Sequence, residues 1–239
     1  MTELLYYPEN EYQKEFDAEV QNVKEVDGYI TLDKTLFYKK GGGQPSDKGK
    51  ISWKKGEASV EKVVQENGKI KHFLEGELPE QGAEIHGVID WGRRYKHMRM
   101  HTAQHLVSWV VLNMYDASTA GNQIHEDYSR IDFKPVDFDE NDIKKIEKAV
   151  NSLIEKELEV EKELRPREKV EQQIQEGRTN LEIIPDNIDP LRVVIIAGED
   201  ICPCSGTHVE NIEEIGKINI TGRESKGANA ERLIFELEE

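Results

Sequence analysis

The sequence has few of the features that mark a secreted or membrane-spanning protein. Its 239 residues include only two cysteines, Cys202 and Cys204, which are too few for a disulfide framework. No apolar run approaches the roughly 18 residues that cross a bilayer. The first residues lack the basic and apolar regions of a secretory signal. We therefore expect a cytoplasmic protein with reduced thiols and no membrane partner.

The sequence also has fewer basic than acidic residues. Acidic residues outnumber basic residues by 48 to 32, and the resulting net charge of −16 argues against nonspecific nucleic-acid binding. The basic residues nevertheless cluster along the chain. The clusters predict either solvated surface charge or, if folding brings them together, a local positive patch. They are Lys39, Lys40, Lys48 and Lys50; Arg93, Arg94, Lys96 and Arg99; and Lys217, Arg223, Lys226 and Arg232.

Residues 1–90 contain short alternating segments that are separated by glycine, asparagine or proline. Strands of this length and spacing are typical of a small antiparallel β-barrel, which we predict as the first domain. The predicted strands are Tyr29–Leu32, Leu36–Tyr38, Lys50–Trp53, Ala58–Gln65, Ile70–Leu74 and Ala83–Ile89.

Residues 91–239 have a different pattern and form a second predicted domain. A stretch from Arg93 to about Met114 has no glycine or proline and becomes apolar nearly all round, which predicts a helix that is increasingly buried. Asp139 is suited to cap a second, amphipathic helix through the N–H of Asp142. The chain is therefore expected to be α+β, with an antiparallel sheet in this domain. Further predictions are a helix at Arg167–Glu176 and strands at Leu191–Ala197, Glu214–Thr221 and Arg232–Leu237, the last two joined through Gly222 to Ala230.

Four side chains predict a metal centre. His101 and His105 are four residues apart in the predicted long helix, so both imidazoles lie on one face. Cys204 and His208 supply a thiolate and an imidazole from a turn that follows a predicted strand. Three nitrogens and one sulfur suit Zn²⁺ by softness and by tetrahedral geometry. The alternative is a buried cysteine that packs beside unrelated histidines.

Two questions about this centre stay open at the level of sequence. Cys202 is a possible substitute for Cys204, although Pro203 stiffens the chain and favours Cys202 as a small core residue. Catalytic zinc commonly keeps three protein ligands and one open position, whereas structural zinc is closed by four. The sequence does not decide between these two arrangements.

The run Gly41, Gly42, Gly43 and Gln44 is a further candidate feature. It lacks the Gly-Lys-Ser/Thr ending of a phosphate-binding loop and no helix pattern follows it. An ordinary hairpin is one interpretation. The other is a backbone that approaches a ligand closely, because glycine carries no Cβ.

Four motifs follow one another along the chain. They are Thr35-Leu-Phe-Tyr38, Gly41-Gly-Gly-Gln-Pro-Ser-Asp47, His101-Thr-Ala-Gln-His105 and Cys204-Ser-Gly-Thr-His208-Val. Taken together in this order, they resemble the editing domain of alanyl-tRNA synthetase, and more closely the free-standing AlaX editing proteins of medium length. Ser205 departs from the glycine that often follows the cysteine in that family, but the ligand spacing is kept.

The resemblance implies a zinc-dependent hydrolase that works in trans on tRNA(Ala) mischarged with serine or glycine. It implies Zn²⁺ as cofactor and four kinds of site residue. The metal ligands are His101, His105, Cys204 and His208. The catalytic residues are Thr35 and Gln44, and the substrate-binding residues are Gly41, Gly42, Gly43, Gln104, Ser205 and Thr207. The tRNA-binding residues are Arg93, Arg94, Lys96, Arg99, Arg223 and Lys226.

Two alternatives from other functional classes remain. One is a noncatalytic, zinc-stabilised tRNA-binding module, which would unfold on chelation. The other is a metal hydrolase that cleaves a small aminoacyl ester or amide and ignores RNA. A monomer and a weak dimer are both compatible with the sequence.

Overall fold

The computed structural model describes residues 2–198 and 200–238, and the chain divides into two compact units. The first unit ends at Tyr95 and the second begins at Lys96. The expected α+β class is confirmed, because a closed antiparallel barrel is accompanied by helices and further antiparallel sheets. The predicted domains, residues 1–90 and 91–239, stay predictions.

The first unit is built around a closed barrel of six antiparallel strands, in the order β2-β3-β7-β6-β5-β8. The two remaining strands, β1 and β4, form a short parallel pair. The strands are β1 (Glu3–Leu4), β2 (Glu15–Lys24), β3 (Tyr29–Leu32), β4 (Lys34–Thr35), β5 (Gly49–Trp53), β6 (Gly56–Glu66), β7 (Lys69–Gly76) and β8 (Glu84–Ile89).

Alternating side chains explain the barrel. In β2 the buried residues Phe16, Ala18 and Val20 alternate with exposed acidic residues, so one face of the strand lies in the core. Strand β8 alternates in the same way and pairs with β2 in antiparallel register, for example Asp17 opposite His86. The barrel interior therefore encloses one apolar core.

Residues Leu36–Tyr38 are not the strand that we predicted. They are buried but irregular, because side chains rather than a neighbouring strand accept their backbone N–H groups. The N–H of Phe37 donates to Thr35 Oγ1 at 3.1 Å, and the N–H of Tyr38 donates to the Asp47 carboxylate at 2.7 Å. Such local bonds compete with a β-ladder.

Helix α1 (Trp91–Tyr115) contains the boundary between the units, and a mixed set of helices and strands follows it. Four of these strands form an antiparallel sheet, β14-β15-β10-β9, and three form another, β11-β12-β13. The elements are β9 (Ser118–Ile124), β10 (Ser129–Lys134), α2 (Glu140–Ile154), β11 (Val160–Arg165), α3 (Arg167–Gln173), β12 (Leu191–Ile196), β13 (Asp200–Pro203), β14 (Ile218–Ser225) and β15 (Glu231–Leu237).

Three predictions for the second unit are confirmed. Helix α1 is buried along most of its second half. Asp139 caps α2, and a capping box joins it to Asp142. Strand β12 is buried at every position and lies in the centre of its sheet. Within the described residues, no helix has both the length and the apolar character needed to cross a membrane.

The strand predicted at Glu214–Thr221 begins later than expected. Residues Ile212–Ile215 form a 3₁₀ turn that Asn211 caps, and Gly216 ends this turn with a φ of +77°. Strand β14 therefore starts at Ile218 and runs through Gly222, which we had placed in the connection to β15. Helix α3 likewise ends at Gln173, three residues before the predicted end.

Candidate metal centre

Two ligands of the candidate centre come from α1. His101 and His105 are one helical turn apart, and their ring centroids lie 5.2 Å from each other. Both side chains are buried, with exposures of 1% and 3%. Residues 100–108 of α1 are all buried, so the two imidazoles point into the protein rather than into solvent.

The other two ligands come from the loop that follows β13. Arg192 of β12 donates from one nitrogen to the carbonyl oxygens of Cys204 at 2.7 Å and Gly206 at 3.0 Å. The N–H of Gly206 lies 3.3 Å from Cys204 Sγ. These bonds hold the loop so that Cys204 and His208 face the same point.

The four ligand atoms lie within 4.8 Å of one another. Cys204 Sγ is 3.6 Å from His101 Nε2 and 3.4 Å from His208 Nε2. A tetrahedral zinc ion with ordinary bond lengths would separate sulfur and nitrogen ligands by about 3.5 Å. The spacing and the chemistry of the donors therefore fit a single metal ion, which His101, His105, Cys204 and His208 could hold.

Burial keeps the imidazoles neutral. It lowers the pKa of His101 to about 3, and it lowers the pKa of His105 and His208 well below the ordinary value. The positive charges of Arg192 and Arg178 add to the effect on His105. A neutral imidazole is the form that binds metal, so protons do not compete for these nitrogens near neutral pH.

A threonine orients one of the histidines. The hydroxyl of Thr102 donates to the carbonyl of Met98 at 2.9 Å, one turn earlier in α1. Its oxygen can then accept from His208 Nδ1 at 3.2 Å and from the N–H of Val209 at 3.3 Å. This arrangement places the proton of His208 on Nδ1 and leaves Nε2 available to a metal ion.

Cys202 does not belong to the group of four. Its side chain is only 5% exposed, and burial raises the pKa of the thiol to about 12. Its thiol lies 3.8 Å from the carbonyl oxygen of Pro203 and is not among the four ligand atoms that lie close together.

Two sequence profiles match the chain. The family described as tRNA synthetases class II (A) matches residues 7–93, and the threonyl and alanyl tRNA synthetase second additional domain matches residues 191–234. The alanyl-tRNA editing protein AlaX-M of Methanosarcina barkeri is 39% identical over 243 residues, which cover 99% of both chains. The chain belongs to the AlaX family.

Longer members of the AlaX group and the synthetases themselves are also similar. AlaX-L of Pyrococcus horikoshii is 36% identical over 98% of this chain and 58% of its own length. The alanine–tRNA ligase of Methanopyrus kandleri is 34% identical over 98% of this chain and 26% of its own length. The resemblance drawn from the four motifs is thus confirmed.

The predicted catalytic residues of this AlaX-family chain lie in the first unit and are buried. Thr35 Oγ1 accepts from the N–H of Phe37 and lies 2.9 Å from Nε2 of His72. The backbone of Gln44 pairs with Gly41 through two hydrogen bonds of 2.9 and 3.1 Å. These contacts describe how both residues are held, and their catalytic role stays a prediction.

The predicted glycine motif forms a tight two-residue hairpin between Gly41 and Gln44. Gly42 and Gly43 have φ values of +57° and +82°, a conformation that other residues adopt only at a cost in energy. The hydroxyl of Tyr38 donates to the carbonyl of Gly41 at 2.9 Å. The motif therefore has a structural reason to contain glycine, whether or not it also binds a ligand.

The predicted substrate residues of the second unit differ in exposure. Gln104 is buried and its amide is already bonded, since it donates to Ser108 Oγ at 2.8 Å and accepts from Asn122 at 3.0 Å. Thr207 is also buried, whereas Ser205 is exposed. Both flank Gly206 in the loop that carries the metal ligands.

One predicted tRNA contact is contradicted by the structure. Arg94 is fully buried, and its guanidinium donates to Asp47 and to the carbonyls of Glu11 and Leu36. An arginine enclosed in this way has no surface to offer to a phosphate. The basic cluster did not indicate that Arg94 pairs with Asp47, which is 47 residues away in the sequence.

The other predicted tRNA contacts are more accessible. Lys96 and Lys226 are exposed, and Arg93 is half-buried. Arg99 donates to the carbonyl of Ile215 at 2.7 Å. Arg223 pairs with two carboxylates, those of Glu231 and Asp137. Lys96 Nζ lies 3.9 Å from Asp127 Oδ1, so this lysine also faces a carboxylate. The contact of these residues with RNA stays a prediction.

Sequence reasoning missed the residues that support the ligands. Thr102 lies inside the His101–His105 motif, and its position one residue after a ligand was an available signal. Arg192 lies in β12 and Asp200 begins β13, and both are buried in positions where charged residues are rare unless paired. Arg178 lies in a polar loop and had no signal in the sequence.

Proposed function

We propose that this AlaX-family protein is a trans-editing hydrolase that deacylates tRNA(Ala) mischarged with serine or glycine. Water adds to the carbonyl carbon of the aminoacyl ester and the ester C–O bond breaks. The products are the free amino acid and a tRNA with its terminal hydroxyl restored. The observation that carries the proposal is the group of His101, His105, Cys204 and His208 in a chain similar to AlaX-M over nearly its whole length.

Zinc is the metal that we assign to the centre. Three neutral imidazoles and one thiolate are a donor set that suits Zn²⁺ in tetrahedral geometry. When bound, zinc supplies Lewis-acid polarisation of a carbonyl group or of water. The chain's own residues hold the donors for this purpose, since Thr102 orients His208 and Arg192 fixes the carbonyl of Cys204.

In this proposal the amino acid is recognised by Thr35 and Gln44 of the first unit, with the glycine hairpin. Gln104, Ser205 and Thr207 of the second unit keep their predicted role in substrate binding. A site that hydrogen-bonds a substrate hydroxyl rejects the analogue without it strongly, because buried polar groups are then left unpaired. This is the discrimination needed between serine and alanine. Thr35→Val should therefore change the ratio of seryl- to alanyl-tRNA cleavage at unchanged zinc content. An unchanged ratio would remove Thr35 from the recognition of serine.

The tRNA is bound, in this proposal, through Lys96, Lys226 and the arginines at 93, 99 and 223. Phosphate contacts from a few cations give an affinity that falls as salt is raised. The acidic remainder of the chain limits nonspecific binding, which suits a protein that reads one RNA by shape and charge. A tRNA substrate places the activity in the cytoplasm.

A deacylation assay tests the proposal. Purified, zinc-loaded protein is offered seryl-, glycyl- and alanyl-tRNA(Ala), and we expect cleavage of at least one of the first two well above that of the third. Cys204→Ser should lose zinc and activity together. Cys202→Ser is the matched control, because it changes a buried thiol two residues away that is not in the group of four. Folded, zinc-loaded protein that cleaves none of the three would contradict the proposal.

A second function is favoured by the number of ligands. Four protein donors close a tetrahedral site, as in structural zinc sites, whereas catalytic sites commonly keep an open position. The alternative is therefore a noncatalytic, zinc-stabilised tRNA-binding module. It predicts saturable tRNA binding, unfolding on chelation and no deacylation in the same assay.

A further inference from the structure

A buried ion pair lies within the second unit, next to the elements that carry the metal ligands. Arg178 is 4% exposed and Asp200 is 2% exposed. Nε of Arg178 donates to Asp200 Oδ1 at 2.5 Å, and its terminal nitrogen donates to Oδ2 at 2.8 Å. This two-bond geometry fixes the orientation of the guanidinium as well as its position.

The same guanidinium also contacts the long helix. A terminal nitrogen of Arg178 donates to the carbonyl oxygen of His105 at 3.4 Å. Asp200, its ionic partner, begins β13, the strand that leads into the loop with Cys204. One side chain thus connects the helical turn that carries one ligand to the strand that leads to another.

The loop that presents Arg178 is closely packed. Gly177 has a φ of +79°, and a Cβ at this position would lie 2.8 Å from Ser118 Oγ and 3.1 Å from Leu112 Cδ1. The backbone is therefore seated against α1 and β9 in a way that only glycine allows. This leaves the base of the Arg178 side chain in a defined place.

We propose that Arg178 and Asp200 are positioning residues that set the separation between the helix-borne and the loop-borne metal ligands. Neither offers an atom to the ion. They act through the carbonyl of His105 and through β13, and the partners that surround metal ligands typically change metal affinity by about 10–100-fold when they are replaced.

A purely structural role for the pair needs to be distinguished from this one. Removing one partner of a buried pair leaves an unpaired charge and destabilises the fold, so single substitutions confuse the two roles. The double variant Arg178→Met/Asp200→Leu removes both charges and keeps similar volume, a change that buried pairs often tolerate. Arg178→Lys keeps the charge but loses the two-bond fork.

The experiment measures three properties of purified protein. They are the zinc dissociation constant by chelator competition, the visible spectrum of the Co²⁺-substituted form, which reports coordination geometry, and the thermal midpoint of the metal-free form. The matched control is Arg94→Met/Asp47→Leu, the same replacement of a fully buried pair in the other unit. We expect Arg178→Met/Asp200→Leu to weaken zinc binding by about 10–100-fold and to alter the Co²⁺ spectrum. The control should stay within about twofold of the parent protein in zinc affinity.

Zinc affinity within about twofold of the control, with an unaltered Co²⁺ spectrum, would overturn the proposal. If the double variant does not fold, Arg178→Lys decides by the same two measurements. A loss of about tenfold or more in zinc affinity then supports positioning, and parental affinity overturns it. Because both measurements concern metal alone, failure of deacylation would contradict the proposed function without affecting this test.

Discussion

The buried pair of Arg94 and Asp47 should dominate the stability of the barrel unit. Both side chains have no exposure, and the guanidinium also donates to the carbonyls of Glu11 at 2.8 Å and Leu36 at 2.6 Å. Removing either charge leaves the other buried without its partner, which costs about 3–5 kcal/mol. For a chain of this length we expect Arg94→Met or Asp47→Leu to lower the melting temperature by about 6–20 °C.

The double variant separates the ion pair from the other bonds of Arg94. Arg94→Met/Asp47→Leu removes both charges of the pair, but two carbonyls lose a donor and the N–H of Tyr38 loses its acceptor, so part of the loss remains. In chemical denaturation, we expect the double variant to lose about 3 kcal/mol less unfolding free energy than the two single variants lose together. Losses that add to within about 0.5 kcal/mol would show that the two residues do not act as a pair and would refute this reasoning.

Three further predictions concern the histidines and the metal. Thr102→Val should weaken zinc binding by about 10–100-fold in a competition titration, because Nδ1 of His208 loses its hydrogen-bond acceptor. Thr102→Ser keeps the hydroxyl and should not weaken it. Equal zinc affinities of the two variants would count against the role of Thr102. Burial lowers the pKa of His72 to about 4. Below about pH 6.5 its imidazole is therefore protonated in the unfolded chain, whereas it stays neutral in the folded chain until the pH nears 4. His72 should therefore contribute a loss of about 3 kcal/mol of stability between pH 6.5 and 4. His72→Asn should reduce the fall seen in denaturant titrations by that amount, and an identical slope would contradict the burial argument. Zinc at 1,000 times its dissociation constant should raise the melting temperature by about 8–16 °C over the chelated protein, and no difference would show that the folded state holds no zinc.

The parts of the fold that sequence could predict are those with a strong local pattern. The capping box at Asp139 and the apolar second half of α1 needed no distant partner to be recognised. The four candidate ligands, which the structure brings together, could be predicted because their residue types are rare and their spacing is characteristic. Strand β2 has clear alternation at Phe16, Ala18 and Val20, so its signal was present in the sequence and was overlooked.

Other features depend on contacts that no local pattern contains. Strand β9 (Ser118–Ile124) is an edge strand with mostly small and polar residues, and it exists because it pairs with β10. Arg94 looked like part of a surface cluster, because the sequence does not show that Asp47 lies against it. The contacts of Arg178 could not be predicted for the same reason, since Asp200 and the carbonyl of His105 lie beside it only in the folded chain.

The central claim is that one ion is shared by three imidazoles and a single thiolate. X-ray absorption at the zinc edge measures this ligand set directly in the purified protein. The account predicts one sulfur at about 2.3 Å and three nitrogens at about 2.0–2.1 Å, with the sulfur lost in Cys204→Ser and kept in Cys202→Ser. A shell without sulfur, or one with two sulfurs, would contradict the account.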